Sequence, residues 1–331
     1  MNALRWRRQP GHYEVYYLTF TDPASGAGVW IRYTLLAPLE GQATCSLWFA
    51  SMEPESGRTS ARRDTQPIDA LKSTNDPFKL SIGESVLDNG GARGSCEGAT
   101  WDLCWQSRLP GVSHVDPLLA RARIASTVLT LPHPELLISG TITIDGKPMV
   151  IDGARGGQAH LWGTRHASRW AWMHCNDLRS EAGEPATGSY IDGVAVYLPR
   201  FGREIGPSTP VVGRLLGEDF RSTAPWRVLR NEAEIGVRGL SVEARARSRR
   251  VEISVTARAE LMVGVTYHDP DGTPAYCYNS EVASMRALVW DRTRRGGGAG
   301  WELRETLVSD GRAHFEYAQR QPLADIALAV E

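Results

Sequence analysis

Lysine is almost absent from this 331-residue chain, where Lys72, Lys79 and Lys147 are the only lysines among 37 basic residues. The arginines are spread along the sequence, and 38 acidic residues leave a net charge of -1. A nucleic-acid site requires basic residues collected in one patch. The densest group, Arg245–Arg250, alternates with small residues and is expected to form one solvated strand face. The composition therefore predicts no nucleic-acid partner.

Long hydrophobic runs are absent too, because no stretch approaches the roughly 18 apolar residues of a spanning helix. The opening residues place Trp6 among arginines and lack the apolar segment of a secretory signal. The five cysteines are odd in number and contain no C-x-x-C pair, which favours reduced, buried thiols. We therefore expect a cytoplasmic protein without stable membrane insertion. Peripheral membrane contact and the oligomeric state are left open by the sequence.

Familiar catalytic motifs are also missing. The chain has no G-x-S-x-G elbow, no G-x-x-x-x-G-K-[ST] loop and no H-E-x-x-H pair. Gly296 and Gly297 follow two arginines between predicted strands and do not open a helix, which indicates a loop rather than a phosphate site. Serine-hydrolase, nucleotide-phosphate and zinc-protease functions therefore lose their usual support, and no cofactor is indicated.

Short strands separated by turns dominate what is present. Tyr13–Phe20 and Val29–Leu36 are rich in aromatic and β-branched residues and are joined by a turn that begins Asp22-Pro23, which indicates a hairpin. Similar segments recur to the end of the chain, as in a β-sandwich or barrel. Short helices are predicted over three segments: Pro67–Ser73, Asp116–Arg121 and Glu281–Met285. The polar segment Arg179–Gly188 predicts a domain junction, with one β domain over residues 1–180 and another over 188–331.

Two neighbouring segments carry alternating aromatic and titratable residues. Because alternate side chains of a strand share a face, three residues of the first segment should point together: Gln158, His160 and Trp162. Four residues of the second should do the same: Trp170, Trp172, His174 and Asn176. If the two strands are adjacent, they place tryptophan and histidine side by side. The opposite faces carry small and apolar residues that are typical of core packing.

Each of these residue types has two interpretations. His160, His166 and His174 resemble metal ligands by residue type, but no carboxylate is interleaved with them before Asp177, so structural hydrogen bonding or proton transfer is favoured and no metal site is predicted. The eleven tryptophans form either core packing or an aromatic cavity, in which ring faces could stabilise a developing cation. In the second half, Tyr267, Tyr276 and Tyr278 are candidate ligand contacts. Glu281 is either a buried acid of raised pKa or an ordinary paired carboxylate.

Two stretches of the chain carry a resemblance to a known family. Trp162-Gly163 followed by Trp170-Ala171-Trp172, together with the opening Trp30-Ile31-Arg32-Tyr33, resembles the tandem-lipocalin superfamily. That group includes carotenoid hydratases, tocopherol-cyclase-like proteins and lipocalin-like Diels-Alderases. The resemblance implies two lipocalin-like antiparallel barrels or half-open sandwiches in tandem, with an apolar ligand pocket in or between them. Relatives carry acidic residues before Trp-Gly, whereas this chain has Ala159-His160-Leu161, so His160 is the titratable group left there.

Together these features predict a cofactor-independent cyclase, hydratase or isomerase acting on a terpenoid, polyene or similar apolar molecule. His160 or His174 would transfer the proton, with Asp177 or Glu281 as alternative acids. Seven residues are expected to shape the pocket: Trp162, Trp170, Trp172, Asn176, Tyr267, Tyr276 and Tyr278. The alternative is a non-catalytic carrier that binds a lipid or terpenoid in the same cavity.

Overall fold

The computed structural model describes residues 1–115, 126–200, 203–295 and 298–330. About two thirds of these residues are in β-strands and very few are in helices, which confirms the predicted all-β class. The helices among them are α1 (Pro225–Val228) and two single 3-10 turns, Ile68–Ala70 and Ala259–Leu261. No helix within these ranges is long and apolar enough to cross a bilayer.

The first sheet contains twelve strands in the described chain: β1 (His12–Thr21), β2 (Gly28–Ala37), β3 (Thr44–Glu53), β4 (Arg58–Pro67), β5 (Leu71–Asn75), β6 (Phe78–Ile82), β7 (Ser85–Asp88), β8 (Gly91–Cys96), β9 (Ala99–Ser107), β10 (Val112–Ser113), β11 (Thr127–Ile144) and β12 (Lys147–Gly163). Their order is β4, β3, β2, β1, β12, β11, β9, β8, β7, β6, β5, with β10 beside β11, and neighbouring strands are antiparallel. The sheet curls into a nearly closed barrel. Strands from opposite halves of the sheet therefore meet across its interior, where the Tyr33 hydroxyl on β2 donates a hydrogen bond to the carbonyl of Val86 on β7, at 3.0 Å.

The second sheet contains thirteen strands in the described chain: β13 (Arg169–Cys175), β14 (Arg179–Ser180), β15 (Tyr190–Arg200), β16 (Arg203–Ser208), β17 (Val211–Leu215), β18 (Glu218–Ser222), β19 (Glu232–Gly236), β20 (Gly239–Arg245), β21 (Arg249–Thr256), β22 (Val263–His268), β23 (Pro274–Arg295), β24 (Gly298–Gln319) and β25 (Leu328–Val330). Its main path is β18, β17, β15, β13, β24, β23, β21, β20, β19. Its apolar core joins Met173 on β13 to Val242 and Ile253 on β20 and β21.

Strand β1 is buried on both of its faces along its full length. Tyr16, Leu18 and Phe20 point into the core of the first barrel. Tyr13 and Tyr17, on the opposite face, pack in a separate cluster with residues of the second sheet. The two sheets therefore lie face to face, with β1 at their boundary.

The second β unit begins earlier than the sequence predicted. β12 ends at Gly163, and β13, which starts at Arg169, already pairs with β15 and β24. The chain thus crosses between the sheets at residues 164–168. The polar segment Arg179–Gly188 instead holds β14 and a turn within the second sheet, since polarity marks a surface turn whether or not a domain ends there.

Two of the predicted helices have a different structure. Glu281–Met285 lies inside β23, where pairing with β21 and β24 outweighs the helix propensity of its residues. Pro67–Ser73 forms one 3-10 turn and then enters β5. The predicted helix Asp116–Arg121 and the predicted loop glycines Gly296 and Gly297 lie outside the described residues.

The close approach of the two sheets predicts the effect of one substitution. A Cβ atom at Gly28 on β2 would lie 2.6 Å from Cβ and 2.8 Å from the carbonyl carbon of Glu281 on β23. Gly28→Ala should therefore lower the free energy of unfolding by about 1–3 kcal/mol, as overpacking does elsewhere, in urea denaturation. Gly236→Ala is the control, because its nearest atom would lie 4.0 Å away. Equal stability of the two variants would contradict the packing.

Candidate active site

Aromatic rings fill much of the boundary between the two sheets. The Tyr17 ring on β1 meets the Trp172 ring on β13 edge-on, with centroids 5.4 Å apart. Trp48 on β3 meets Tyr267 on β22 in the same way, at 5.9 Å. This boundary, which we call the interdomain face, also contains buried titratable groups.

Asp192 on β15 is the centre of the first group. His174 is opposite Asp192 in the strand register, and its Nδ1 lies 3.0 Å from Asp192 Oδ2. His114, from the first barrel, places Nε2 2.7 Å from Asp192 Oδ1, and Trp172 Nε1 donates to the same carboxylate at 3.2 Å. Burial would raise the pKa of Asp192, but His114 and His174 hold it below its usual value. Asp192 is therefore an ionised carboxylate that joins both domains.

Glu281 on β23 is the centre of the second group. His314 on β24 places Nδ1 2.7 Å from Glu281 Oε2. From the first sheet, Thr19 donates its hydroxyl to the same oxygen, and the Thr21 hydroxyl donates to the Glu281 backbone carbonyl at 2.9 Å. Burial lowers the pKa of His314, although Glu281 opposes this shift. The His314 imidazole is therefore neutral at neutral pH.

The two groups are adjacent, and each places a histidine beside a carboxylate. His174 pairs with His314 in the strand register, and their rings stack with centroids 5.7 Å apart. Nδ1 of His174 is hydrogen-bonded to its carboxylate, Nδ1 of His314 lies 2.7 Å from its carboxylate without hydrogen-bond geometry, and each Nε2 is buried without a hydrogen bond. We call His174–Asp192 and His314–Glu281 the two dyads. With Nδ1 carrying the proton, each Nε2 offers an unshared electron pair.

Gly157, on the first barrel, leaves space for the His174 ring because it has no side chain. A Cβ atom at Gly157 on β12 would lie 2.8 Å from His174 Nε2. The glycine thus allows the imidazole to approach the backbone of β12. Because both imidazoles are at most 1% exposed, a substrate can reach them only if the sheets separate locally.

His160 lies in a different environment, and the predicted adjacency with His174 is wrong. β12 pairs with β1 and β11, so His160 and Trp162 point into the first barrel instead of toward β13. His160 Nε2 lies 2.8 Å from Glu14 Oε1, and its Nδ1 lies 3.0 Å from the carbonyl of Met1. Both ring nitrogens are thus occupied. Trp162 has the Arg5 guanidinium 4.8 Å from its ring and lies apart from the interdomain face.

Asp177 and Asn176 have partners other than the imidazoles. Asp177 accepts a hydrogen bond from Arg312 at 3.0 Å and lies 3.8 Å from Arg155, as a partly exposed ion pair. Asn176 donates to the carbonyl of Gly156 at 2.5 Å, across the boundary between the sheets. These contacts join the domains without placing either residue beside a dyad nitrogen.

The predicted aromatic contacts divide between two locations. Trp170, Trp172 and Tyr267 lie on the interdomain face. Tyr278 is in the core of the second barrel, where its hydroxyl accepts a hydrogen bond from the Leu323 amide at 2.6 Å, and Tyr276 packs against the same core. Cys277 lies between these two tyrosines on β23, so its side chain points the other way, to the interdomain face.

A small pocket opens at one end of the interdomain face. It has a volume of about 190 Å³ and is lined by aromatic and basic residues, among them Tyr13, Arg32, Trp48, His166 and Tyr267. A larger groove of about 450 Å³ lies at the mouth of the first barrel, beside Arg58, Arg62 and Lys147. In the described ranges no three His, Cys, Asp or Glu side chains are arranged to hold a metal ion.

The sequence interpretation missed four titratable partners: Asp192, His314 and His114 at the interdomain face, and Glu14 inside the first barrel. They lie up to roughly 150 residues from their histidine or carboxylate partners; strand pairing brings Asp192, His314 and Glu14 to theirs, whereas His114 reaches Asp192 across the two sheets. Asp192 and His314 both occupy strand positions with apolar neighbours, where a polar residue requires a partner. The sequence therefore indicates that Asp192 and His314 need polar partners, but it does not identify those partners.

Comparison with solved structures places the fold in a known class. Three structures align over nearly the whole chain: a protein assigned as AttH from Nitrosomonas europaea (TM-score 0.55, 12% identity, 94% of this chain and 93% of that one), kievitone hydratase from Nectria haematococca (0.53, 11%, 94% and 89%) and CghA with Sch210972 (0.59, 9%, 96% and 89%). They confirm the tandem-lipocalin fold that the sequence predicted.

Sequence comparison gives a nearer relative. An uncharacterized protein of Mycobacterium tuberculosis strain H37Rv is 28% identical over 313 residues, which cover 90% of this chain and 85% of the relative. No family model matches the chain.

The Glu14 cluster predicts a specific pH dependence of stability. Burial would raise the pKa of Glu14, but hydrogen bonds from His12 and His160 and from the Arg5 amide bring it from 4.5 down to about 2. The resulting stability is fully present above about pH 4.5 and is lost as the pH falls toward 2; a shift of this size corresponds to about 3 kcal/mol. Urea denaturation of Glu14→Gln should show a shallower acid slope than the wild type.

The exposed Glu232 supplies the control for this measurement, since Glu232→Gln should keep the wild-type acid slope. If Glu14→Gln instead loses stability between pH 5 and pH 2 as steeply as the wild type, Glu14 is not the group responsible.

Proposed function

We propose that the protein is a cofactor-independent enzyme that moves a proton on an apolar, terpenoid- or polyene-like molecule bound at the interdomain face. The observation that carries this proposal is the pair of dyads, whose two buried Nε2 atoms lack hydrogen bonds. A buried polar atom without a hydrogen bond costs free energy, and two such imidazole nitrogens side by side next to buried carboxylates call for an explanation such as a catalytic role. Hydratase and Diels-Alderase chemistry among proteins of this fold supports the assignment.

The dyads also limit the types of proton transfer that the site could catalyse. Burial lowers the pKa of His314, and a neutral imidazole of this kind is too weak an acid to protonate an isolated alkene. It is well suited to remove a proton beside a conjugated carbonyl and to return it elsewhere. His174 and His314 would each act through Nε2, while Asp192 and Glu281 fix the Nδ1–H tautomer and stabilise the imidazolium that forms. The proposed reaction is therefore an isomerisation, a hydration or a cyclisation of a substrate that carries a conjugated carbonyl group.

We propose that the enzyme acts in the cytoplasm. All five cysteines are free thiols, and four of them are buried. Reduced thiols of this kind are usual where the redox environment is reducing.

Two measurements test the function. Native mass spectrometry of freshly purified protein should detect a retained apolar compound. That compound, together with conjugated terpenoid aldehydes and ketones, is then incubated with the protein in D2O, and deuterium incorporation is followed by mass spectrometry. His174→Gln and His314→Gln should each lower the exchange rate by about 10²-fold or more, since positioned general bases contribute that much.

His133→Gln is the control, because this histidine lies outside both dyads and contacts Ser107. Folded dyad variants that exchange as fast as the wild type would rule out the assigned roles. A compound that is retained with no exchange in the wild type would instead identify the carrier function.

A further inference from the structure

Arg32, on β2, is a buried cation without an anionic partner. It is 4% exposed, and its Nε and Nη1 atoms have no hydrogen bond. Within the described ranges it forms no salt bridge. Its contacts are aromatic: the guanidinium carbon lies 4.3 Å from the Tyr267 ring centroid, 4.9 Å from that of Trp30 and 5.9 Å from that of Tyr17.

These rings stabilise the guanidinium only in part. A cation over a ring gains about 0.5–2 kcal/mol, whereas removing an ion from water costs several kcal/mol. Arginine cannot reduce this cost by losing its proton, because a guanidinium stays protonated in proteins. Ring contacts from both domains therefore hold a desolvated positive charge, and two of its donor atoms, Nε and Nη1, have no hydrogen bond.

The pocket beside Arg32 has the electrostatic character that an anion requires. Its lining includes Arg32, Arg63, His166 and His268 and contains no Asp or Glu among the described residues. The nearby carboxylate of Asp269 is already paired, with His166 at 2.7 Å and Arg320 at 2.8 Å.

The other acids of this region are also engaged. Asp192 and Glu316 act electrostatically on Tyr17, as Arg32 does. Asp192 accepts Trp172 Nε1 at 3.2 Å, and Glu316 accepts Trp170 Nε1 at 2.5 Å. Neither carboxylate forms a salt bridge with Arg32 within the described residues, so the Arg32 guanidinium has no paired anion there.

We propose that this pocket binds the carboxylate of a conjugated organic acid, with Arg32 as the anion-binding residue and the Trp48 and Tyr267 rings against the planar body of the ligand. A guanidinium attracts a carboxylate strongly, and the aromatic walls match a flat π system. The inference extends the proposed function by naming the chemical class of the ligand and rests on it for the choice of the interdomain face.

The test compares two ligands of the same shape. trans-Cinnamate and its neutral amide, trans-cinnamamide, are titrated separately into the full chain, and binding is measured by isothermal titration calorimetry. The wild type should bind cinnamate at least about tenfold more tightly than cinnamamide. Arg32→Gln should weaken cinnamate binding to the level of the amide and leave the amide unchanged, whereas Arg32→Lys should keep part of the preference.

Arg169→Gln is the matched control, since Arg169 also lies over an aromatic ring, Tyr197 at 4.2 Å, but outside the pocket. Equal binding of the two ligands by the wild type, or no binding of either at millimolar concentration, overturns the proposal even if Arg32→Gln does not fold. The proposal is also overturned if folded Arg32→Gln still binds cinnamate more tightly than cinnamamide. His174→Gln should still bind cinnamate, so failure of the dyad chemistry and failure of this site are separate results.

Discussion

Burial of β1 on both faces is the constraint on which the rest of this structure depends. A strand in a barrel wall usually has one face in the core and one in water, so its polar residues have solvent available. Here the outer face of β1 lies against the second sheet, and every polar group on the strand needs a protein partner. Glu14 finds its partners inside the barrel, whereas Thr19 and Thr21 find theirs on Glu281 of the second domain.

This constraint explains why titratable residues collect where two apolar surfaces would otherwise meet. Asp192 and Glu281 are almost fully buried, and each is held by partners from both domains. Breaking a buried pair by removing one partner generally costs 3–5 kcal/mol, so such groups fix the relative position of the sheets as well as supplying chemistry. The dyads and the domain boundary are therefore one arrangement, and catalysis at His174 or His314 would require part of that boundary to open.

The sequence predicts the fold class well and the site only in part. Strand alternation correctly groups Trp170, Trp172 and His174 on one face, because that grouping needs only local geometry. It does not reveal that the His160 face points the opposite way, into the first barrel, since this depends on whether β12 pairs with β1 or with β13. His314 and Asp192 were missed for the same reason: strand register joins residues that are far apart in sequence. Arg32 was visible in the Trp-x-Arg-Tyr segment, but its lack of an acidic partner is a property of three dimensions.

The glycines at the boundary have a consequence for how this site changes over evolutionary time. Gly28 is fitted to Glu281, and Gly157 to His174, so the absence of a side chain on one sheet matches its presence on the other. A larger residue gained on the first sheet is tolerated only with a smaller one on the second. Divergence in ligand preference should then appear as linked substitutions in opposite halves of the chain, and homologues with different substrates would differ in pairs rather than at single positions.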